Sequence, residues 1–244
     1  FASYSRGFRS GRFDVEFLHG AQTGFPLADS GPETLDAYEI GTKSSFLNNS
    51  LQLNISAFFY EWFNKQTFFV DPATGPAFSN VPKSESKGIE FEVKWAPTDT
   101  IYISAGLGLL DTEIKQASGL GSDQVGHKLQ QAPGSSFNIL ASKEFRLGDG
   151  VLSLQVDYAY RKKSKNGLAP ADLTDELDKQ SLLGARATYI FGSQQQYEIS
   201  AFGENITANK FCTYHFNLAS INGNVTCNAN EGQAMWGMQG AWNF

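Results

Sequence analysis

A two-residue alternation of apolar and polar side chains recurs along this chain and restricts its fold more than any other feature. The cleanest segment alternates four apolar residues (Ile89, Phe91, Val93 and Trp95) with four small or charged ones (Gly88, Glu90, Glu92 and Lys94). Successive side chains of a β-strand point to opposite faces, whereas a helix repeats every 3.6 residues or so. The segment therefore predicts a strand with one apolar face and one charged face.

Other segments repeat this pattern. One apolar face comprises Leu51, Leu53, Ile55, Ala57, Phe59 and Phe63, with Gln52, Asn54 and Ser56 opposite; a second comprises Leu152, Leu154, Val156, Tyr158 and Tyr160. The last segment, 234–244, places Trp236, Met238, Trp242 and Phe244 on one face. An exposed apolar strand invites aggregation in water, but it has partners on both sides in a closed membrane barrel.

Composition agrees with membrane strands and not with membrane helices. Mean hydropathy is -0.30, and the chain contains no apolar run of about 18 residues that could form a spanning helix. Transmembrane strands need only about 9 to 11 residues, half of which face a polar lumen. The net charge of -6, without a basic stripe, makes nucleic acid an unfavourable partner.

Tight and long connections alternate along the chain. Short turn signals occur at Asn48-Asn49, Pro97-Thr98-Asp99, Gly148-Asp149-Gly150 and Gly192-Ser193-Gln194, with longer polar stretches between them. We expect ten antiparallel strands of about 10 to 14 residues, with short periplasmic turns and long extracellular loops. Aromatic residues near the predicted strand ends suit the two interfacial girdles of a transmembrane β-barrel. The predicted fold class is therefore an all-β, antiparallel transmembrane β-barrel.

An ordered set of short segments resembles the C-terminal barrel of TonB-dependent outer-membrane receptors. The segments are 7–11 (GFRSG), Glu33, 38–43 (YEIGTK), 88–90 (GIE), 129–138 with its Ala132-Pro133, 203–207 (GENIT) and Phe244. Such barrels have about 22 strands around a plugged lumen. The resemblance implies that residues 1–244 are the C-terminal portion of the barrel domain, without the plug and the N-terminal strands.

The resemblance also implies a function, a location and partners. The function would be TonB-coupled import of a scarce nutrient, such as a ferric siderophore, cobalamin or a glycan, across the outer membrane of a Gram-negative bacterium, without enzymatic activity. Partners would be outer-membrane lipid, the missing plug, the TonB energy-coupling complex, the barrel assembly machinery and the nutrient. Trp242 and Phe244 would form the assembly signal, although Gly237 and Gly240 lie one place off its usual glycine position.

Charged residues on the polar faces of the predicted strands would line the lumen. They are Glu39, Lys43, Glu90, Glu92, Lys94, Asp157, Arg161, Arg186, Glu198 and Glu204. In this interpretation they bind water and the plug, or pair across strands.

Aromatic residues in the predicted extracellular loops form a second group of candidates. They are Phe68, Phe69 and Phe78 in one loop and Tyr214, His215 and Phe216 in another. Water-facing loops rarely gain from such side chains, so these either pack among themselves or contact an organic ligand.

The two cysteines, Cys212 and Cys227, flank the last long loop. We expect a disulfide, which would stabilise a loop of this length by roughly 3 kcal/mol in an oxidising compartment. Two free thiols are the alternative. A metal site is not expected, because His215 alone lies nearby and His19 and His127 fall in other loops. We predict no cofactor.

Two other interpretations of the chain remain open at this point. A self-contained ten-strand barrel could act as a porin or as a hydrolase with acidic and histidine residues at its extracellular rim. A secreted all-β binding module would fold without detergent, but long strands with aromatic ends disfavour it.

Overall fold

The computed structural model describes residues 1–13, 29–71, 75–118, 124–167, 176–217, 225–230 and 232–242. None of these residues belongs to a helix long and apolar enough to cross a membrane. The strands, in chain order, are β1 (Ala2–Arg9), β2 (Arg12–Phe13), β3 (Asp29–Ser30), β4 (Glu33–Phe46), β5 (Leu51–Asp71), β6 (Gly75–Thr98), β7 (Ile101–Gln116), β8 (Ser135–Leu147), β9 (Gly150–Arg161), β10 (Ser164–Lys165), β11 (Glu176–Leu177), β12 (Gln180–Phe191), β13 (Tyr197–Glu204), β14 (Phe211–Asn217), β15 (Val225–Asn230) and β16 (Met235–Trp242).

Ten of these strands form one antiparallel sheet, in the order β1-β4-β5-β6-β7-β8-β9-β12-β13-β16. Each long strand pairs with the next long strand along the chain, which is the connectivity of an up-and-down barrel wall. The prediction of ten antiparallel strands is confirmed. Three two-stranded hairpins, β2–β3, β10–β11 and β14–β15, lie within the long connections.

Tight turns join β4 to β5, β6 to β7, β8 to β9 and β12 to β13, where the turn signals predict them. Asn48 and Asn49 adopt the left-handed conformation, with φ of 53° and 69°, and Gly148 and Gly192 have φ of 61° and 96°. Asn and Gly adopt a positive φ at a lower free-energy cost than other residues do, so the local sequence suffices to place these turns.

The hairpin of β5 and β6 is longer than predicted. These strands have 21 and 24 residues, and their pairing continues from Phe63↔Lys83 to Asp71↔Gly75. Phe68, Phe69 and Phe78, predicted in a long loop, belong instead to the paired ends of β5 and β6. That this end of the hairpin is extracellular stays a prediction. Continued pairing satisfies backbone groups that a loop would leave to water.

The cross-strand register gives the sheet two chemically distinct faces. Ile89 pairs with Ala57 and Leu109, and Glu90 pairs with Ser56 and Gly108. We call the face with Ile89, Phe91 and Val93 the apolar face, and the face with Glu90, Glu92 and Lys94 the polar face. Directly paired residues share a face, so both names apply across all ten strands.

Little of the apolar face is covered by protein. The described residues contain one small core cluster, Val81, Ile114 and Leu129, where segment 124–132 packs against β6 and β7. In contrast, Met238 is 80% exposed, and Trp236 and Ile89 also lie open on the apolar face. An apolar surface of this extent requires a non-aqueous environment.

Candidate functional site

The register places every predicted lumen charge on the polar face of the sheet. The residues are Glu39, Lys43, Glu90, Glu92, Lys94, Asp157, Arg161, Arg186, Glu198 and Glu204. Across β12 and β13, for example, Arg186 pairs with Phe202 on this face and Ile190 pairs with Glu198. That the polar face lines a lumen stays a prediction.

Six of these charged residues make hydrogen bonds or aromatic contacts within the wall. Asn54 donates from Nδ2 to a carboxylate oxygen of Glu92 at 3.2 Å, and the Arg186 guanidinium lies 4.7 Å from the centroid of the Phe202 ring. Within the described ranges, no residue of the predicted lumen set takes part in an ion pair. Their charges are therefore not neutralised by close opposite charges on the wall.

Three of the charges meet at one cleft on the polar face. Asp157, Arg186 and Glu204 line a space of about 600 Å³ beside β12 and β13. The Asp157 carboxylate lies directly against Gly184, where an added Cβ would be 2.6 Å from it. The cleft therefore presents charges of both signs on the polar face.

The structure shows an aromatic column on the polar face that was not among the candidates predicted from the sequence. Gln52, Asn54 and Ser56 of β5 point to the polar face, and the same alternation puts the next three residues, Phe58, Tyr60 and Trp62, on that face. The Phe58 and Tyr60 rings are stacked with their centroids 4.8 Å apart. Tyr60 donates its hydroxyl to Glu39 at 2.5 Å. Extending the alternation past Ser56 would have found the column, because aromatic rings at polar-face positions are unexpected.

A cation, Lys65, lies at the Trp62 end of the aromatic column. The Lys65 Nζ is 4.2 Å from the centroid of the Trp62 ring, within the range of a cation–π contact. We call Phe58, Tyr60, Trp62 and Lys65 the capped aromatic column. It combines flat apolar surfaces with a positive charge, which suits an anionic ligand that carries aromatic groups.

Two long connections are joined above the sheet by one asparagine. Asn166, in the β9–β12 connection, donates from Nδ2 to the His215 carbonyl at 2.8 Å and accepts from the His215 amide at 3.0 Å. Leu177 of β11 and Phe211 of β14 are both buried. We call the connections 162–179 and 205–234 the loop pair. The Asn166 side chain thus links the two connections through the His215 backbone.

The predicted disulfide is present in the loop pair. Cys212 and Cys227 are bonded, with their Cα atoms 5.5 Å apart, and they link β14 to β15. Tyr214 and His215 are half-buried in β14 on this hairpin, and Phe216 follows them in the same strand. A ligand-binding role for the three remains a prediction, as it does for Phe68, Phe69 and Phe78, whose side chains lie outside the described set.

Burial and charge shift two pKa values in the loop pair. Burial raises the pKa of the Tyr214 hydroxyl, so this phenol stays neutral further into the alkaline range. A hydrogen bond from Lys163, at 2.7 Å, lowers the pKa of the Glu176 carboxyl. Glu176 thus keeps its charge, and its contact with Lys163 ties the start of β10 to β11.

The two histidines that the structure describes lie in different connections of the sheet. His127 contacts Gln124 through Nδ1 at 3.2 Å, His215 lies in β14, and His19 falls outside the described residues. In the described part of the chain, no three His, Cys, Asp or Glu residues are grouped closely enough to hold a metal ion.

Of the two residues of the predicted assembly signal, the structure describes Trp242. Trp242 ends β16, pairs with Tyr197 and is exposed on the apolar face. Phe244 lies outside the described residues. Its role and that of Trp242 in assembly remain predictions.

A protein-family model described as "TonB dependent receptor-like, beta-barrel" matches residues 1–206. Over 83 residues, the chain is 39% identical to the probable TonB-dependent siderophore receptor PiuA of Acinetobacter baumannii. That alignment covers 34% of this chain and 11% of the curated protein.

Solved structures share the fold. The ferric yersiniabactin uptake receptor FyuA from Yersinia pestis has a TM-score of 0.79 at 16% identity, over 100% of this chain and 34% of that one. The siderophore receptor PiuA from Acinetobacter baumannii has a TM-score of 0.68 at 23% identity, over 86% and 29% of the two chains. This chain therefore spans about a third or less of each relative. It belongs to the family of TonB-dependent receptors, Gram-negative outer-membrane transport proteins, and it matches their β-barrel.

Proposed function

We propose that the full-length protein imports a ferric siderophore across the outer membrane with energy from the TonB complex. The family match supports a receptor for nutrient uptake, and the names of PiuA and FyuA associate those relatives with siderophores. In this proposal residues 1–244 are the C-terminal part of the barrel wall. The plug and the first strands are contributed by other parts of the receptor.

We infer the class of the ligand from the capped aromatic column. Iron chelates with aromatic donor groups and a net negative charge would stack on Phe58, Tyr60 and Trp62 and place that charge near Lys65. Neutral glycans offer no anionic aromatic group, so the column favours a ferric chelate over a glycan. The names of PiuA and FyuA favour a ferric chelate over cobalamin.

Other described features fit further parts of a receptor. The cleft of Asp157, Arg186 and Glu204 would take polar groups of the plug. The loop pair, with Tyr214, His215 and Phe216, would cover the ligand from outside. The barrel assembly machinery would bind the strand that contains Trp242 and Phe244.

The proposal is tested on the full-length receptor with Trp62→Leu and Lys65→Gln. Binding of ferric catecholate and ferric hydroxamate chelates is followed by fluorescence quenching, and uptake by radioactive iron in cells. We expect each variant to weaken binding of the anionic aromatic chelate about threefold to tenfold, since Trp62→Leu removes a stacking surface worth about 0.5 to 1.5 kcal/mol and Lys65→Gln removes the charge that faces the anion.

Trp95→Leu, on the apolar face, is the matched control and should bind as the wild type does. Equal losses in the control and in Trp62→Leu would contradict a site at the column. Binding of cobalamin or an oligosaccharide in place of any iron chelate would contradict the ligand class.

A further inference from the structure

The contact between Lys65 and Trp62 depends on an irregular point in β5. The Lys65 ammonium lies 4.2 Å from the centroid of the Trp62 ring, although side chains three positions apart point to opposite faces of a regular strand. Asn64, between them, has a positive φ of 52°. A left-handed residue interrupts the two-residue alternation, and Asn adopts this conformation more readily than most residues do. The backbone on each side of Lys65 therefore decides where its side chain lies.

Two side chains hold this backbone, one before Lys65 and one after it. Asn80, on β6, donates from Nδ2 to the Asn64 carbonyl at 2.6 Å. A carboxylate oxygen of Glu33 accepts the Gln66 amide at 2.8 Å. Glu33 is 7% exposed, so this hydrogen bond to a charged group is shielded from water. The peptide group that joins Lys65 to Gln66 is therefore fixed by a buried carboxylate.

Gln66 connects the same point to the ends of two neighbouring strands. Its Nε2 donates to the Ser10 carbonyl at 2.8 Å and to the Gly31 carbonyl at 3.1 Å. Ser10 directly follows β1, and Gly31 lies two residues before Glu33, with which β4 begins. Glu33 therefore lies where β1, β4 and β5 meet, just beyond the last pair of β4 with β5.

Charges on two strands also act on the Lys65 ammonium. Burial lowers the pKa of Lys65 below its usual range, the Glu33 carboxylate raises it in part, and the Arg9 guanidinium lowers it further. Arg9 pairs with Glu33 across β1 and β4, whereas Val81, the partner of Lys65 on β6, is apolar. In the described part of the chain, Glu33 and Lys65 form no close ion pair. Glu33 thus acts on Lys65 through the peptide group and across space.

We propose that Glu33 is a positioning residue of the ligand site, which holds the Lys65 ammonium over the Trp62 ring as a cation. This role rests on the proposed function, in which Lys65 faces the anionic chelate and Glu33 does not touch it. Removing the Glu33 charge makes Lys65 easier to deprotonate. Affinity for the anionic chelate should therefore depend on Glu33 most strongly at alkaline pH.

The test uses the full-length receptor with Glu33→Gln and Arg9→Gln. Brief labelling with acetic anhydride over a pH series, followed by peptide mass spectrometry, reports the unprotonated fraction of Lys65. At about pH 8 we expect Glu33→Gln to raise the labelling rate about threefold or more, relative to its alkaline plateau, and Arg9→Gln to lower it. Binding of a ferric catecholate, measured by fluorescence quenching, should be lost at a lower pH in Glu33→Gln than in the wild type.

Glu204→Gln, in the polar-face cleft, is the control and should leave Lys65 labelling unchanged. Shifts in the same direction in Glu33→Gln and Arg9→Gln would indicate a structural change and overturn the role of Glu33, as would unchanged labelling in Glu33→Gln. The expected labelling shifts without any change in the pH dependence of chelate binding would overturn the positioning role and leave the proposed function in place. The same shifts in a receptor that binds no iron chelate would contradict the proposed function and support the hold of Glu33 on Lys65.

Discussion

At the scale of residues, the polar face depends on glycines that let large side chains lie flat on a neighbouring strand. An added Cβ at Gly88 would lie 2.5 Å from the Phe58 ring and 2.4 Å from the Leu109 carbonyl oxygen. Gly237 has the same relation to the Phe202 ring. The position of the capped aromatic column is therefore set partly by a residue on the adjacent strand.

We expect Gly88→Ala to destabilise the barrel by about 1 to 3 kcal/mol, because the contact with a backbone oxygen cannot be relieved by a side-chain rotation. The measurement is guanidinium unfolding of the full-length receptor, followed by fluorescence. Gly134→Ala is the control, since its nearest contact is the Leu110 carbonyl oxygen at 3.6 Å. Equal guanidinium unfolding midpoints for Gly88→Ala and Gly134→Ala would contradict a steric clash at Gly88.

At the scale of elements, the loop pair is built separately from the ten-stranded sheet. The β14–β15 hairpin is a two-stranded sheet of its own, and the disulfide links its strands. Asn166 then connects the hairpin to the preceding long connection. The two connections should therefore open or close together and not one at a time.

We expect Cys212→Ser/Cys227→Ser to loosen the hairpin and leave the sheet intact. Closing this loop contributes roughly 3 kcal/mol in the chain-entropy model, which exceeds what a short isolated hairpin supplies. Hydrogen exchange should accelerate in β14 and β15 by about two orders of magnitude and stay unchanged in β9 and β12. Unchanged exchange in β14 would show that packing against β11 alone holds the hairpin.

At the scale of the whole molecule, the described sheet is open. β1 and β16 are the two ends of its strand order. Each presents one side on which no described strand pairs, and unpaired backbone groups are costly in a bilayer. We expect the barrel to be closed by further strands of the receptor between these two edges.

We expect a polypeptide of residues 1–244 alone to fail to form a stable barrel in detergent, whereas the full-length receptor forms one. Electrophoresis with and without heating, together with trypsin digestion, distinguishes these states. The short polypeptide should migrate identically in both conditions and be digested. Heat-modifiable, protease-resistant migration would instead support a self-contained ten-strand barrel.

The sequence by itself determined the features that depend on neighbouring residues. Alternation along Leu51 to Phe63 and along Gly88 to Trp95 predicted strands and their two faces, and left-handed Asn and Gly residues marked the tight turns. The cysteine spacing predicted the disulfide. These signals are local, because side-chain direction in a strand and turn geometry need only a few residues.

Only the tertiary structure decided which distant residues meet. It extended β5 and β6 through Phe68 and Phe78, and it brought Tyr60 to Glu39. It also brought Asn166 to His215, 49 residues away, and gave Lys87 and Lys128 a common carboxylate. Such contacts depend on strand register and on how long connections return to the sheet, and the alternation of apolar and polar residues specifies neither.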